Sequence, residues 1–303
     1  MTQISFKDIP EEIKNRSEIR ALTSILRTWI IIFISIYSVA VVNVSGIWVL
    51  SAILNGVMMY HLNILAHDGL HYSLFKNRKI NDMVTRWLLL APQAAPLTSM
   101  RKNHLFHHKR LGYSDDLDNQ YYDLKGKKTR FMFVAWFFGV FSGLYAIPLF
   151  IKLLKRNNKL DSSKSKKISK LLDIISIFVM HVLIAALLWY LTGEVFSYVL
   201  LWLLPMLTIM VGLNSTRSCL EHASTEVVDE GQDGRLFSFQ STALELFFLA
   251  PFNMNYHAEH HAFMSIPYYQ LPKLRKFIIK KDKPITIYSS YTNRFWNVFK
   301  KLP

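Results

Sequence analysis

Histidines are the residues in this sequence whose spacing is most suited to chemistry. The 303-residue chain contains 11 histidines, and eight of them lie in three short motifs. These motifs are His67-Asp-Gly-Leu-His71, His104-Leu-Phe-His107-His108 and His257-Ala-Glu-His260-His261. On a helix, residues at i, i+3 and i+4 share one face, so each motif can direct its imidazoles toward one point. An HxxHH pattern should occur by chance only about 0.01 times in such a chain, and here it occurs twice. The spacing predicts metal binding.

The number of imidazoles indicates more than one metal ion. A ninth histidine, His222, ends the stretch Arg217-Ser-Cys-Leu-Glu221-His222. One ion takes roughly four to six ligands, so nine imidazoles favour a two-metal site. Imidazole suits iron, zinc, copper and nickel alike, and the ligand type does not name the metal. The single cysteine, Cys219, excludes iron–sulfur clusters and zinc sites built on several cysteines.

Several polar residues beside the motifs are candidates to support the ligands. Asp68, Glu221 and Glu259 adjoin histidines and could fix imidazole tautomers, or could be solvated surface charges. Asn255 could bond a ligand or a metal-bound water, with loop capping as the alternative. The cluster Asp115-Asp116-Leu-Asp118 has the same two interpretations, a helix cap or a support for a ligand.

Composition indicates that these motifs sit on a membrane protein. Half of the chain is hydrophobic with positive mean hydropathy, yet its net charge is +15. A bilayer needs roughly 20 apolar residues per helix, and the sequence predicts four spans as two hairpins, at about 29–44, 47–66, 174–191 and 195–213. The apolar segment 131–151 is broken by Gly139, Gly143 and Pro148, and we interpret it as an interfacial or re-entrant helix. His61 and His181 fall inside spans and are interpreted as core residues.

The basic residues predict the orientation. Segments 101–130 and 152–170 carry eight Lys or Arg each, the stretch 273–301 carries nine, and the two hairpin tips carry none. By the positive-inside rule, both termini and all three histidine motifs are cytoplasmic. The expected fold class is an all-α integral membrane protein with four transmembrane helices, interfacial helices and a cytoplasmic histidine-rich helical cap. Residues 1–28 form a cytoplasmic N-terminal segment, 29–274 the membrane domain and 275–303 a basic cytoplasmic tail. We expect no nucleic-acid partner, because the aromatic and apolar content is unlike that of a nucleic-acid-binding tail.

At the histidine motifs the chain resembles the membrane fatty acid desaturase superfamily of histidine-box di-iron oxygenases. The resemblance covers most of the chain from about Trp29 to Leu274, including His67-Asp-Gly-Leu-His71-Tyr-Ser-Leu-Phe, Asn103-His104-Leu-Phe-His107-His108 and Asn255-Tyr256-His257-Ala-Glu-His260-His261. The first histidine box of this chain is shorter than that of stearoyl-coenzyme A desaturases. His257 stands where front-end desaturases have Gln. Ser218 stands where the acyl-coenzyme A enzymes have an Asn. His222 matches an additional family histidine.

The resemblance implies two iron ions, O2 as co-substrate and oxidation of a lipid C–H bond. Desaturation of a fatty acyl chain is the first expectation, and a hydroxylase or ketolase of a hydrocarbon, acyl or carotenoid substrate is the alternative. A histidine-rich membrane metal transporter is the alternative from another class. Electrons would come from a separate donor, a ferredoxin or cytochrome b5 with its reductase, because the chain has no flavin or dinucleotide motif. The cationic face would suit an acidic carrier.

Overall fold

A computed structural model describes residues 4–42, 44–124, 127–146, 164–224, 231, 234–281 and 285–303. Within these residues the chain is mainly helical. The α-helices are α1 (Glu11–Lys14), α2 (Glu18–Val42), α3 (Ser45–Leu70), α4 (Arg78–Val84), α5 (Leu97–Arg110), α6 (Asn119–Tyr122), α7 (Arg130–Phe141), α8 (Lys164–Thr192), α9 (Val211–His222), α10 (Ala243–Phe248), α11 (His257–Ala262), α12 (Leu271–Lys280) and α13 (Tyr291–Lys301). Short 3-10 helices cover Phe6–Asp8, Ala91–Gln93, Pro251–Asn253 and Tyr268–Gln270, and π-helical turns cover Thr85–Leu90, Val199–Leu203 and Met206–Met210.

Four helical segments are long and apolar enough to cross a membrane. They are Glu11–Val42, Ser45–Leu70, Lys167–Thr192 and Val199–His222. The segment Val199–His222 is called span four below; it contains two of the three π-helical turns described above and ends in α9. The predicted fold class, all-α with four transmembrane helices, is confirmed. The helices extend beyond the apolar runs in the sequence: α3 continues through His67 to Leu70, and span four continues to His222. The helices themselves thus carry these histidines out of the apolar layer.

A segment that was not predicted from the sequence also packs between the spans. From α4 the chain continues through the turns Thr85–Leu90 and Ala91–Gln93, then reverses at Ala94, which has a left-handed backbone (φ 53°). The indole Nε1 of Trp29 donates to Leu88 O at 3.0 Å, and that of Trp202 donates to Pro92 O at 2.9 Å. These bonds satisfy backbone carbonyls that a bilayer would leave unpaired. The segment is therefore fixed against the first and fourth spans.

Helix α7 lies in the segment predicted as an interfacial or re-entrant helix. It begins at Arg130 and packs along span four, with the Phe141 ring against Gly212. A Cβ at Gly212 would meet that ring at 2.4 Å, so only glycine permits this approach. Phe131 and Phe138 face outward, as expected for a helix at a membrane. Residues 147–151 of the predicted helix lie outside the described residues.

The remaining elements form a helical cap over one end of the spans. Strands β1 (Phe237–Phe239) and β2 (Thr286–Tyr288) pair in parallel, with Ser238 opposite Ile287. Helix α12 packs its apolar face on the N-terminal segment through Ile9, Ile13, Leu274 and Ile278. The cap holds α5 and α11 against the ends of α3 and α9.

Candidate metal centre

All nine predicted histidines come together where four helices meet. Helix α3 and the residue after it supply His67 and His71, α5 supplies its three histidines, α9 supplies His222 and α11 supplies the third motif. Five residues form one group whose donor atoms all lie within 4.8 Å of one another: His67, His71, His104, His108 and His260. A second group is formed by His107, His222 and His261. His257 adjoins the second group, with its Nε2 2.9 Å from His222 Nε2.

The spacing of the ring nitrogens matches adjacent ligands of one metal ion. His71 Nε2 lies 2.8 Å from His104 Nε2, which in turn lies 3.1 Å from His108 Nε2. Two imidazole nitrogens at right angles around an ion, each about 2.1 Å from it, are about 3 Å apart. One nitrogen close to two others cannot be explained by a single N–H···N hydrogen bond. Convergence on a common ion would account for the arrangement.

Histidine ring nitrogens without hydrogen-bond partners also indicate a metal site. Both ring nitrogens of His67 and both of His261 are buried and have no hydrogen-bond partner among the described residues. Buried polar atoms without partners are uncommon because each costs desolvation free energy, about 1–3 kcal/mol. Metal ligation would satisfy one nitrogen in each ring.

Burial keeps most of these imidazoles in the neutral form that binds metal. Desolvation, with a smaller contribution from the Arg101 charge, lowers the pKa of His71 to about 3. Burial, followed by repulsion from neighbouring histidines, holds the pKa values of His104, His260 and His261 well below the ordinary value. A histidine must be deprotonated to donate its lone pair to a metal. Near neutral pH these histidines are therefore already in the deprotonated form that metal ligation requires.

His107 differs because a carboxylate holds its other ring nitrogen. Its Nδ1 lies 2.9 Å from Asp116 Oδ2, and Tyr122 donates its hydroxyl proton to the same carboxylate. Burial alone would lower the pKa of His107, but the Asp116 hydrogen bond and the Asp118 and Asp116 charges raise it overall. Asp116 thus fixes the tautomer that leaves Nε2 free for a metal.

Two further acceptor groups lie beside imidazoles, and one of them forms a hydrogen bond. Glu221 Oε2 lies 3.3 Å from His257 Nδ1, and this carboxylate accepts hydrogen bonds from Arg217 and Tyr291. His222 Nδ1 lies 3.1 Å from the backbone oxygen of Arg235 and can donate to it. His107 and His222 are therefore oriented by hydrogen bonds, whereas Glu221 lies beside His257 without forming one.

The other predicted supporting residues act on the backbone near the motifs. Asp68 accepts a hydrogen bond from Tyr268 N at 2.8 Å, and its carboxylate is 3.9 Å from His67 Nδ1. Asn255 donates to Phe239 O at 2.9 Å, which ties the third motif to β1.

Glu259 links α11 to the rest of the cap. It accepts hydrogen bonds from Ser238 and Arg275, and Ser238 Oγ also accepts from Ala258 N. The Arg275 guanidinium lies 3.8 Å from the Tyr256 ring centroid. Glu259 thus positions the short helix that carries the third motif.

Arg101 is a structural residue of the site that the sequence did not reveal. Its guanidinium donates to Leu70 O at 2.9 Å and to Gly69 O at 3.0 Å, and it pairs with Asp82 at 2.6 Å. These bonds satisfy carbonyls at the end of α3, next to His71. In the sequence Arg101 is one of many basic residues in the segment 101–130, and its position three residues before His104 was the only signal.

The two remaining histidines lie outside both metal groups. His61 Nε2 is 2.8 Å from Phe247 O, and His181 Nδ1 is 2.5 Å from the Tyr198 hydroxyl. Each is joined to a neighbouring element by this hydrogen bond.

Comparison with known proteins agrees with the motifs. The model of a family described as fatty acid desaturase matches residues 44–287, a range that contains all nine histidines. A curated relative, the sn-1 acyl-lipid omega-3 desaturase (ferredoxin) of Nostoc sp. (strain 36), is 25% identical over 256 residues. That alignment covers 77% of this chain and 70% of the relative.

Proposed function

The chain belongs to the fatty acid desaturase family, and from this premise we propose that it introduces a double bond into the acyl chain of a membrane lipid. The family makes it an integral membrane oxidoreductase. The observation that carries the finer proposal is the convergence of nine imidazoles in two groups at one end of four spans. The curated relative is named as an acyl-lipid desaturase, which favours desaturation over oxygen insertion.

The described residues fit a pair of iron ions. His67, His71, His104, His108 and His260 would hold one ion, and His107, His222, His257 and His261 the other. Neutral buried nitrogens, spaced as adjacent ligands and partly without other partners, are the donor set that such ions require. When bound and reduced, the iron pair supplies the power to activate O2 against an unactivated C–H bond.

O2 is the only oxidant that the proposed desaturation needs. The acyl chain loses two hydrogens from adjacent carbons, and O2 takes up these hydrogens together with two electrons and two protons to leave as two water molecules. The chain contributes binding, orientation and exclusion of water. His67, His107, His257 and His260 are each less than one-tenth exposed, so few water molecules can reach them.

The electrons come from a separate protein, for which we propose a ferredoxin. The relative's name includes this donor, and the basic segments on the histidine side offer charge complementarity to an acidic carrier. We also propose that this side is cytoplasmic, as the distribution of Lys and Arg indicates.

Product analysis tests the proposal directly. The chain is expressed in a host of known lipid composition, together with a ferredoxin and its reductase, and the fatty acids released from its lipids are analysed by mass spectrometry. We expect a new fatty acid two hydrogens lighter than its precursor. A product heavier by one oxygen would instead identify a hydroxylase, and a product with one more oxygen and two fewer hydrogens would identify a ketolase. Metal flux into vesicles without a lipid product would identify a transporter.

A matched pair of histidine variants links the product to the metal groups. His260→Ala removes a buried member of the five-histidine group and should abolish the new fatty acid. His181→Ala removes a histidine outside both groups and should retain most of the activity. Equal activity of the two variants would contradict the assignment.

A further inference from the structure

The last helix of the chain, α13, presents two different sides away from the protein core. Its buried residues, which mark the direction of the core, are Tyr291, Arg294 and Val298. At about 100° per residue, the side at roughly 40° to 140° from Tyr291 carries three aromatic residues, Phe295, Phe299 and Trp296. Thr292 lies among them, with its hydroxyl donated to Glu245 at 2.7 Å. The side at roughly 180° to 240° carries three polar residues, Asn293, Asn297 and Lys300. We call these the aromatic side and the polar side of α13.

The aromatic side of α13 packs toward α7. The Phe295 ring centroid lies 5.2 Å from that of Phe133 and 5.5 Å from that of Phe137. Phe299 packs on the same apolar cluster and is partly buried by it. The polar side of α13 points away from α7. The aromatic side is therefore continuous with a helix whose own outer residues are apolar.

Helix α7 gives the level of this contact relative to the bilayer. Its end packs on the apolar part of span four, where the Phe141 ring adjoins Gly212. Near its beginning, Phe133 shares an apolar cluster with Cys219 and with Val298 of α13. Cys219 lies only about 4.5 Å along the helix axis before the end of span four. Because span four is long enough to cross a bilayer, α13 packs where one membrane surface meets water, on the side of the histidines.

Large aromatic side chains remain uncovered at this level. Trp296 is 49% exposed, and on α7 Phe131 is 81% and Phe138 67% exposed. The Trp296 ring adjoins those of Phe295 and Phe299, with centroids 5.7 and 5.6 Å away. Tryptophan is enriched at bilayer surfaces, where its apolar ring and its polar N–H are both accommodated. We call Phe131, Phe138, Trp296 and Phe299 the interfacial surface.

Two basic residues lie at the edge of the interfacial surface. The Arg130 guanidinium, at the beginning of α7, lies 5.7 Å from the Phe299 ring centroid and donates to Lys300 O at 3.2 Å. Arg130 and Lys300 are both exposed. Among the residues that the structure describes, neither forms an ion pair with a carboxylate. Basic residues beside a membrane attract anionic head groups, so the charges and the aromatic rings suit the same partner.

We propose that α13 lies along the bilayer surface on the histidine side and anchors the cap to an anionic membrane. Trp296 and the outer rings of α7 insert among the lipids, while Arg130 and Lys300 face anionic head groups and Asn297 faces water. This is the arrangement of an interfacial amphipathic helix. The part of 275–303 that forms α13 then belongs to the membrane surface, and not to a free cytoplasmic tail.

Spin labels on single cysteines test the depth of α13. The natural Cys219 is buried, so the label reacts at the introduced cysteine of Trp296→Cys or Asn297→Cys. Each labelled protein is placed, one copy per disc, in nanodiscs of phosphatidylcholine with phosphatidylglycerol. Electron paramagnetic resonance then measures collisions of the label with O2, which concentrates in lipid, and with a neutral nickel complex, which stays in water. The ratio of O2 to nickel collisions should be about fivefold higher at position 296 than at position 297.

A second labelled position keeps the natural tryptophan in place. Phe131→Cys replaces a side chain that is 81% exposed, and its label should show the same high ratio as position 296. Low ratios at positions 131 and 296 would place this surface in water and overturn the proposal. Protection of position 296 from both reagents would show that protein covers the surface, and would also overturn it. Dipolar broadening of the label only in discs that hold two copies, with a low ratio in discs that hold one, would identify a second copy as the partner instead.

Lipid composition tests the two cations. In the Trp296→Cys protein, adding phosphatidylglycerol to phosphatidylcholine discs should reduce nickel collisions about twofold, because the anionic lipid draws α13 deeper. The further changes Arg130→Gln/Lys300→Gln should remove this dependence. Lys276→Gln/Lys280→Gln, which removes two exposed charges from α12, should leave it intact. An equal response to phosphatidylglycerol with and without Arg130 and Lys300 would overturn the role proposed for these residues.

These readouts need neither bound iron nor a lipid product, so they are independent of the proposed function. A desaturated product from a protein whose α13 is in water would refute this inference alone. An inserted α13 in a protein that makes no lipid product would refute the proposed function alone.

Discussion

At the scale of single residues, the ligands of the second group differ in what holds their far ring nitrogen. Asp116 holds His107 and a backbone carbonyl holds His222 by hydrogen bonds, whereas Glu221 lies 3.3 Å from His257 Nδ1 without forming one. Each hydrogen-bonded partner selects one tautomer and restricts ring rotation. A charged partner also raises the basicity of the ligating nitrogen, so Asp116 should matter more for metal affinity than the carbonyl.

Replacing Asp116 tests this view. Asp116→Asn removes the negative charge beside His107 Nδ1 and should lower metal affinity at the second group by about 10- to 100-fold. Metal titration of the purified protein, with iron per chain as the readout, measures the change. Asp115→Asn is the control, because Asp115 is exposed and pairs with Arg110. Equal iron retention in both variants would contradict the role of Asp116.

Residue spacing predicted which histidines come together, but not which groups contact their far ring nitrogens. The histidine motifs are local, so a helical period of 3.6 places their rings without knowledge of the fold. Glu221 has one local partner, Arg217, but its other partner, Tyr291, lies 70 residues away and approaches only through the packing of α13. Asp116 is close to His107 in sequence, but the sequence alone does not distinguish a carboxylate that caps a helix from one that bonds an imidazole. The fold of the loop between the two residues decides which group Asp116 contacts.

At the scale of elements, close helix packing depends on particular glycines. A Cβ at Gly56 of α3 would lie 2.6 Å from Ile209 Cβ and 3.1 Å from Pro205 O of span four. Gly56→Ala should therefore destabilise the protein by about 1–3 kcal/mol through overpacking, although alanine favours helix. Thermal unfolding in detergent measures the loss.

Gly46 provides the control for this substitution. It lies at the start of α3, and a Cβ there would meet nothing within 4 Å. Gly46→Ala should leave the unfolding temperature unchanged or slightly higher, because it removes the entropy cost of glycine in a helix. A lower unfolding temperature for Gly46→Ala than for Gly56→Ala would refute the packing argument.

Helices long enough to span a bilayer could be predicted, whereas the short segment that packs between them could not. Length alone identifies a span. The apolar run at 87–92 is far shorter, and its stability depends on hydrogen bonds from Trp29 and Trp202, which are 59 and 110 residues distant from the carbonyls they bond. Only the tertiary structure reveals these partners.

At the scale of the whole molecule, bound metal should contribute to stability. The two histidine groups join α3, α5, α9 and α11, so ions bound there crosslink the spans to the cap. A ligand at 100 times its dissociation constant stabilises a fold by about 2.7 kcal/mol. Removing iron with a chelator should therefore lower the unfolding temperature of the wild-type protein. The decrease should be smaller in His260→Ala, and an equal decrease in both would contradict metal crosslinking.

The orientation of the whole molecule can be tested because the chain has one cysteine, and Cys219 is buried. Labelling of intact cells with a membrane-impermeant maleimide should give no background from the wild-type protein. Glu194→Cys, in an exposed hairpin tip, should react from outside, and Lys276→Cys, exposed on α12, should react only after permeabilisation. If the chain crosses the membrane four times with its basic segments in the cytoplasm, the two variants must be labelled from opposite sides of the membrane. Reaction of both variants from the same side would contradict it, and would remove the argument that the histidine groups face a cytoplasmic electron donor.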